Sequence, residues 1–128
     1  MARFSKAIVD HFTNPKNVGE VPAPDASAHV ADPVCGDQVH LSVRVADGRI
    51  VEARFRSHGC AAALGTASIL TEWILGMEPA ALAGLDEAGV TAKVGGLTPG
   101  QSHCARLAVD VLHVLARDCA SRAQGQRT

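Results

Sequence analysis

The residues from Val39 to Phe55 constrain the fold more than any other stretch of the chain. Val39, Leu41, Val43 and Val45 are apolar and alternate with His40, Ser42 and Arg44, the period-2 pattern of a strand that buries one face. Asp47-Gly48 follows; both positions tolerate positive φ, so the chain can reverse there in a tight turn. Beyond the turn Val51, Ala53 and Phe55 alternate with Glu52, Arg54 and Arg56. Residues 38–57 are therefore read as a hairpin with one wet face. A lone hairpin is marginal in water, so its apolar face needs a covering layer.

Helical periodicity supplies that layer. Ala63, Ala67, Leu70 and Ile74 recur at helix spacing within residues 60–75, which end at Gly76, and Cys104, Leu107, Ala108, Val111, Leu112, Leu115 and Cys119 form a longer stripe. Pro79 suits the first position of a short helix over 79–84, where its missing N–H costs nothing. Phe4, Ile8 and Phe12 suggest an amphipathic helix over 4–13, stopped at Asn14-Pro15 because proline disfavours helical geometry in the residue before it. Residues 19–33, with Pro22, Pro24 and Pro33, read as loop with a short strand near His29–Ala31; residues 85–97 show no clear period. The polar tail from Ser121 to Thr128 is expected to fray. Strands followed by helices, without a repeat, indicate one α+β domain spanning 1–128 and ordered over about 4–120.

A chain of 128 residues, 47 % apolar, buries roughly two-thirds of its unfolded surface and needs no disulfides to hold a core. Twelve basic against thirteen acidic residues leave no general electrostatic footprint for nucleic acid or an anionic membrane, and three Phe with one Trp make no base-stacking platform. No apolar run matches a secretory signal or a bilayer span, so the reading is cytoplasmic. Thiols stay reduced there, and four Cys need a reason other than a disulfide framework.

Three of the four stand at element boundaries. Cys35 lies in the turn Pro33-Val34-Cys35-Gly36-Asp37, Cys60 follows Gly59 at a helix start, and Cys104 follows His103 near the start of the last helix. Helix N-termini favour thiolate, the form that binds metal and accepts sulfur. Cys119 falls on the apolar stripe about 22 Å along the helix from Cys104, too far to share one ion, and reads as a core residue. The separations alone are weak support for a metal site, since no C-x₂-C pair is present. Asp37 and His103 strengthen it, because three thiolates with a carboxylate or an imidazole complete a tetrahedral site for zinc or an iron–sulfur unit.

Asp10-His11-Phe12-Thr13-Asn14-Pro15-Lys16-Asn17-Val18-Gly19, Cys35-Gly36-Asp37, Gly59-Cys60 with Thr71-Glu72-Trp73, and His103-Cys104 resemble, in order and spacing, the IscU/NifU-type iron–sulfur cluster assembly scaffolds over about residues 4–119. The resemblance implies a three-stranded antiparallel sheet packed against helices. It implies a scaffold, not an enzyme, that accepts sulfur from a cysteine desulfurase, assembles a [2Fe-2S] cluster with iron and passes it to apo acceptor proteins. Cys35, Cys60 and Cys104 correspond to the cluster ligands, Cys104 also to the persulfide acceptor. Asp37 corresponds to the carboxylate that ligates metal, including zinc, in the cluster-free site and keeps the cluster labile; His103 corresponds to an alternative ligand. A ferredoxin, a frataxin-like protein and a monomeric or weakly dimeric state belong to the same implication.

The chain departs from the pattern in two places. Leu97-Thr98-Pro99-Gly100-Gln101 stands where housekeeping scaffolds carry a Leu-Pro-Pro-Val-Lys segment, so Gln101 replaces a lysine and counts against recognition by a dedicated Hsp70-type chaperone. Phe4 stands where the family often has Tyr. The stretch between Cys60 and Cys104 lacks the insertion of SufU-type sulfur transferases, and His103 stands where those carry Arg, which favours the scaffold branch over a zinc-dependent sulfurtransferase. A structural zinc domain is a third reading. Outside this set, His40 reads as a solvated strand residue, His58 as a loop histidine, His11 as a helix-end or partner-binding residue and His113 as a surface or packing residue.

Overall fold

The computed structural model describes residues 4–34 and 36–126, with side chains as far as Arg122. Three strands, β1 (Ala26–Ala31), β2 (Gln38–Ala46) and β3 (Arg49–His58), form an antiparallel sheet in that order. β2 and β3 are the hairpin read from the alternation, and Asp47 and Gly48 take φ of 54° and 77° in its turn. β1 starts earlier than the expected strand near His29. Its inward side chains, Ala26 and Ala28, are too small to carry a strand signal.

Val39, Leu41, Val43, Ala53 and Phe55 are buried as the alternation requires, but Val51 is not. Arg44 faces Glu52 while Val45 faces Ile50, so Val51 is the extra residue of a β-bulge. The bulge turns Val51 to solvent and puts Ile50 in the core instead.

The wet face is partly covered. Phe55 on the outer edge of β3 donates its N–H to Asn17 O (2.9 Å) and accepts from Gly19 N–H (2.8 Å). Val21 N–H then reaches Ser42 Oγ on β2 (2.9 Å), and the Asp25 carboxylate accepts from Val45 N–H (2.7 Å), after which the chain enters β1. Residues 17–25 thus form a strap from one edge of the sheet to the other, and Ser42, on the expected wet face, has no exposure.

Helices cover the other face: α1 (Lys6–Thr13), α2 (Ala61–Trp73), α3 (Glu87–Lys93) and α4 (Ser102–Gln126). α2 lies on β3, α4 on β1 and β2, α1 on α2, and α3 on α4. Leu41, Val43, Ile50 and Phe55 meet Leu70, Ile74, Leu107, Val111, Leu112 and Leu115 in the core. α2 is buried nearly all round because it sits between the sheet and α1. Of the expected stripe on the first helix only Ile8 is buried, while Phe4 and Phe12 are exposed. The contact is a close backbone approach: a Cβ on Gly65 of α2 would lie 2.9 Å from both Cγ2 and the carbonyl oxygen of Ile8.

α3 occupies the stretch without a clear period. Asp86 caps it by accepting from Gly89 N–H (2.8 Å), and Val90 alone is buried, too little for a pattern. Pro79–Gly84 is a 3₁₀ helix, with Pro79 at its start as expected. α4 continues to Gln126, past the Ser121 at which the tail was expected to fray. Arg122 extends it by pairing with Asp118 one turn back (3.0 Å) and donating to Pro24 O (3.2 Å). Residues 127 and 128 lie outside the described residues. Among the described residues no helix is long and apolar enough to cross a membrane.

Candidate metal centre

Three element starts converge at one end of the sheet. Asp37 precedes β2, Cys60 caps α2, and His103 and Cys104 stand in the first turn of α4. One ligand atom from each of these four side chains lies within 4.8 Å of all the others. The Cys60 thiol donates to Asp37 Oδ2 (3.2 Å) and its backbone N–H to Oδ1 (3.3 Å). His103 Nε2 lies 3.1 Å from Asp37 Oδ2 and 3.7 Å from Cys104 Sγ, and the two sulfurs are 4.0 Å apart. Around a tetrahedral ion with about 2.3 Å bonds to sulfur and about 2.0–2.1 Å to nitrogen and oxygen, such pairs would be separated by about 3.4–3.8 Å. The four donors are therefore spaced for a single ion with little rearrangement.

Local sequence explains the approach. Gly59 has φ of 141°, and a Cβ there would meet Asp37 Oδ1 at 2.2 Å, so only glycine lets the carboxylate reach the Cys60 N–H. Ala62, Ala63 and Leu97 pack around Cys104, which is 2 % exposed, whereas Cys60 is open to solvent. The loop before β2 is closed by Asp32 N–H to Asp37 O (2.7 Å) and Gly36 N–H to Asp32 O (2.8 Å). The buried Asp32 carboxylate also accepts from Val34 N–H (2.8 Å) and Arg106 (3.1 Å), tying that loop to α4 one turn beyond His103.

Burial opposes ionisation of Asp37, yet the hydrogen bonds from Cys60 and His103 hold its carboxyl below the ordinary value. Cys60 goes the other way. Although the residue reaches the surface, partial desolvation of its sulfur pushes the thiol up, and the hydrogen bond with Asp37 and the charge of that carboxylate add to this, outweighing the hydrogen bond from Ala63 N–H at the helix start. The thiolate expected at that N-terminus is thus disfavoured in the metal-free site, and metal binding there would release protons.

Asp37, Cys60, His103 and Cys104 are brought together; Cys35 lies outside the described residues. Cys119 is remote on the continuous α4, packs at the core margin, and has its thiol pushed up to about 11 by burial. His58 ends β3 and is exposed, so it is a strand-end rather than a loop residue. His40 is less solvated than expected, with Glu20 3.6 Å away. His11 Nδ1 lies 2.7 Å from Ser68 Oγ, which with Asn17 to Thr71 (3.1 Å) anchors the Asn14-Pro15 segment on α2. His113 Nε2 donates to Leu85 O (2.8 Å) and packs α4 against the chain before α3. The sequence marked Gly59 only as the neighbour of Cys60, without its role, and did not mark Arg106. The Gly59-Cys60 pair carried a signal for the first, and nothing local carried one for the second.

The model of the NifU-like N terminal domain family matches residues 3–125. The chain belongs to the NifU-like N-terminal domain family. The iron–sulfur cluster assembly scaffold protein IscU of Escherichia coli K12 is 34 % identical over 132 residues, spanning 96 % of this chain and 98 % of its own. IscU 1 of Archaeoglobus fulgidus is 38 % identical over 109 residues, 85 % of this chain and 71 % of its own. Two solved structures share the NifU-like fold. The N-terminal part of a nitrogen-fixing NifU-like protein from Brucella abortus superposes with a TM-score of 0.71 at 18 % identity, covering 91 % of this chain and 94 % of that one. FiSufU of Fervidobacterium islandicum, an assembly scaffold candidate for the SUF system, gives 0.67 at 20 % identity, covering 88 % and 96 %. The expected three-stranded α+β architecture is the architecture of this family.

Proposed function

We propose that this chain is an iron–sulfur cluster assembly scaffold, a binding and transfer protein without turnover of its own. In this reading it takes sulfur from a cysteine desulfurase in the cytoplasm, binds iron, holds a [2Fe-2S] cluster as cargo and hands it to apo acceptor proteins, with a ferredoxin and a frataxin-like protein as further partners. The convergence of Asp37, Cys60, His103 and Cys104 within 4.8 Å carries the reading, and the family relationship agrees with it. Cys35 is assigned as the third thiolate. Asp37 is assigned the labile position: a hard carboxylate oxygen holds iron less firmly than a fourth thiolate, which suits a protein that must release its product.

Cys104 is assigned as the sulfur acceptor. Its thiolate attacks the outer sulfur of the donor's persulfide; the new S–S bond forms as the donor's S–S bond breaks, and the donor cysteine leaves as thiolate, with no net redox change. Persulfide found by mass spectrometry on Cys104, and lost in Cys104→Ser but not Cys119→Ser, supports the assignment. Persulfide on the more exposed Cys60 reassigns it.

Anaerobic reconstitution with iron, a desulfurase and free cysteine tests the whole reading through the visible absorption of a [2Fe-2S] chromophore. Asp37→Ala should slow cluster loss to a chelator severalfold; equal or faster loss removes the role given to Asp37. The tetrahedral spacing of the donors favours one second reading, a zinc-dependent sulfurtransferase of the SufU type. Tight zinc with sulfur uptake and no chromophore would select it.

Gln101 bears on the chaperone. Its side chain is turned inward, 9 % exposed, and its Oε1 accepts from Thr98 N–H (3.2 Å). The residue that replaces the family's lysine thus caps its own turn, and we expect no dedicated Hsp70-type chaperone to read it.

A further inference from the structure

The polar face of the sheet carries a second set of donor side chains, none of which belongs to the thiol centre. His29 on β1 and His40 on β2 are direct cross-strand partners, with ring centres 5.7 Å apart and planes inclined by 46°. Glu20, on the strap, places Oε1 3.6 Å from His40 Nε2. Gln38 Oε1 lies 3.1 Å from His29 Nε2. With Arg56, Ser57 and His58 these residues line one open concavity of about 380 Å³.

Strand pairing fixes the Cβ atoms of such a histidine pair about 4.5–5.5 Å apart, so the backbone has already restricted where the two rings go. Two imidazoles bound to one ion at about 2.0–2.1 Å and a tetrahedral angle have ring centres about 5 Å apart. His29 is exposed, and bringing its ring to a shared ion exchanges the contact of its Nε2 with Gln38 Oε1 (3.1 Å) for the metal bond. Glu20 already faces His40, and His58 stands opposite Gln38 on the neighbouring strand, within the same concavity. Arg56 lies 3.8 Å from Glu20 and competes for it; its side chain is two-thirds exposed, so solvent can take over the guanidinium when Glu20 turns to a metal. Imidazole nitrogens with one carboxylate suit Fe(II), Co(II), Ni(II) or Zn(II) and not the all-oxygen cations.

We propose that His29, His40 and Glu20 form a second divalent transition-metal site, with His58 as its fourth donor. It shares no ligand with the thiol centre and does not depend on the scaffold reading. The two sites are nevertheless neighbours along the chain: Gln38 follows Asp37, and His58 precedes Gly59-Cys60.

Anaerobic titration of the full chain with Co(II) tests this. Two equivalents are expected. One produces the intense sulfur-to-metal absorption of thiolate ligation. The other adds only weak d–d bands while broadening the ring proton resonances of His29 and His40 and leaving those of His11 and His113 sharp. His29→Ala with His40→Ala should weaken the second equivalent at least tenfold and keep the sulfur absorption of the first. Glu20→Gln, which leaves both strands untouched, should weaken it severalfold. Uptake of a single equivalent by the wild-type chain, or a second equivalent unchanged in the double variant, overturns the proposal.

Discussion

Gly59 sets the distance between the Asp37 carboxylate and the Cys60 amide, and no other residue type can stand there without moving one of them. Gly59→Ala should therefore cost at least tenfold in zinc affinity, measured by competition with a chromophoric chelator, with the helical circular dichroism retained. The thiols differ as sharply in their chemistry. With Cys119 pushed up to about 11, its alkylation by iodoacetamide at pH 8 should be the slowest step in peptide mapping and should rise about tenfold per pH unit until that value is reached. The same shift has a sign for stability. Between the ordinary thiol value of 9.0 and about 11 the unfolded chain loses its proton first, so this thiol's contribution falls as pH rises through that window.

Among the elements, the crossing of α1 and α2 is the tightest. Gly65→Ala would raise helix propensity by up to about 1 kcal/mol, but the new methyl meets the Ile8 backbone oxygen as well as its side chain, and backbone cannot step aside cheaply. A net destabilisation of about 1–2 kcal/mol is expected in urea titration; a more stable variant would mean that α1 shifts freely on α2. The elements also divide by how much the sequence discloses. The hairpin was legible because a strand's two faces are written in its own alternation. The bulge at Val51 was not, since it exists only in the register with Arg44 and Val45. The strap over Ser42 and the pairing of Arg106 with Asp32 were hidden for the same reason, and α3 was too short to show a period. Asp37, Cys60, His103 and Cys104 were legible as candidates by type and motif, and the structure brings these four together. That Asp37 would be the carboxylate touching both Cys60 and His103 required the fold.

At the level of the whole molecule, the centre exists only when three remote parts of the chain are packed against one core. Metal binding at this candidate centre would then be linked to folding, because the unfolded chain offers no such arrangement. Zinc at a free concentration a hundredfold above its Kd should add about 2.7 kcal/mol to stability and raise Tm by several degrees, and Cys104→Ser should abolish most of that increment. The strap adds a constraint on the order of events. Residues 17–25 hold onto Phe55, Ser42 and Val45, so this segment, translated before the hairpin, has nothing to dock on until the hairpin has been made. That strap must wait while the segment that will receive it is synthesised, so its closure over the sheet is expected to follow formation of the hairpin.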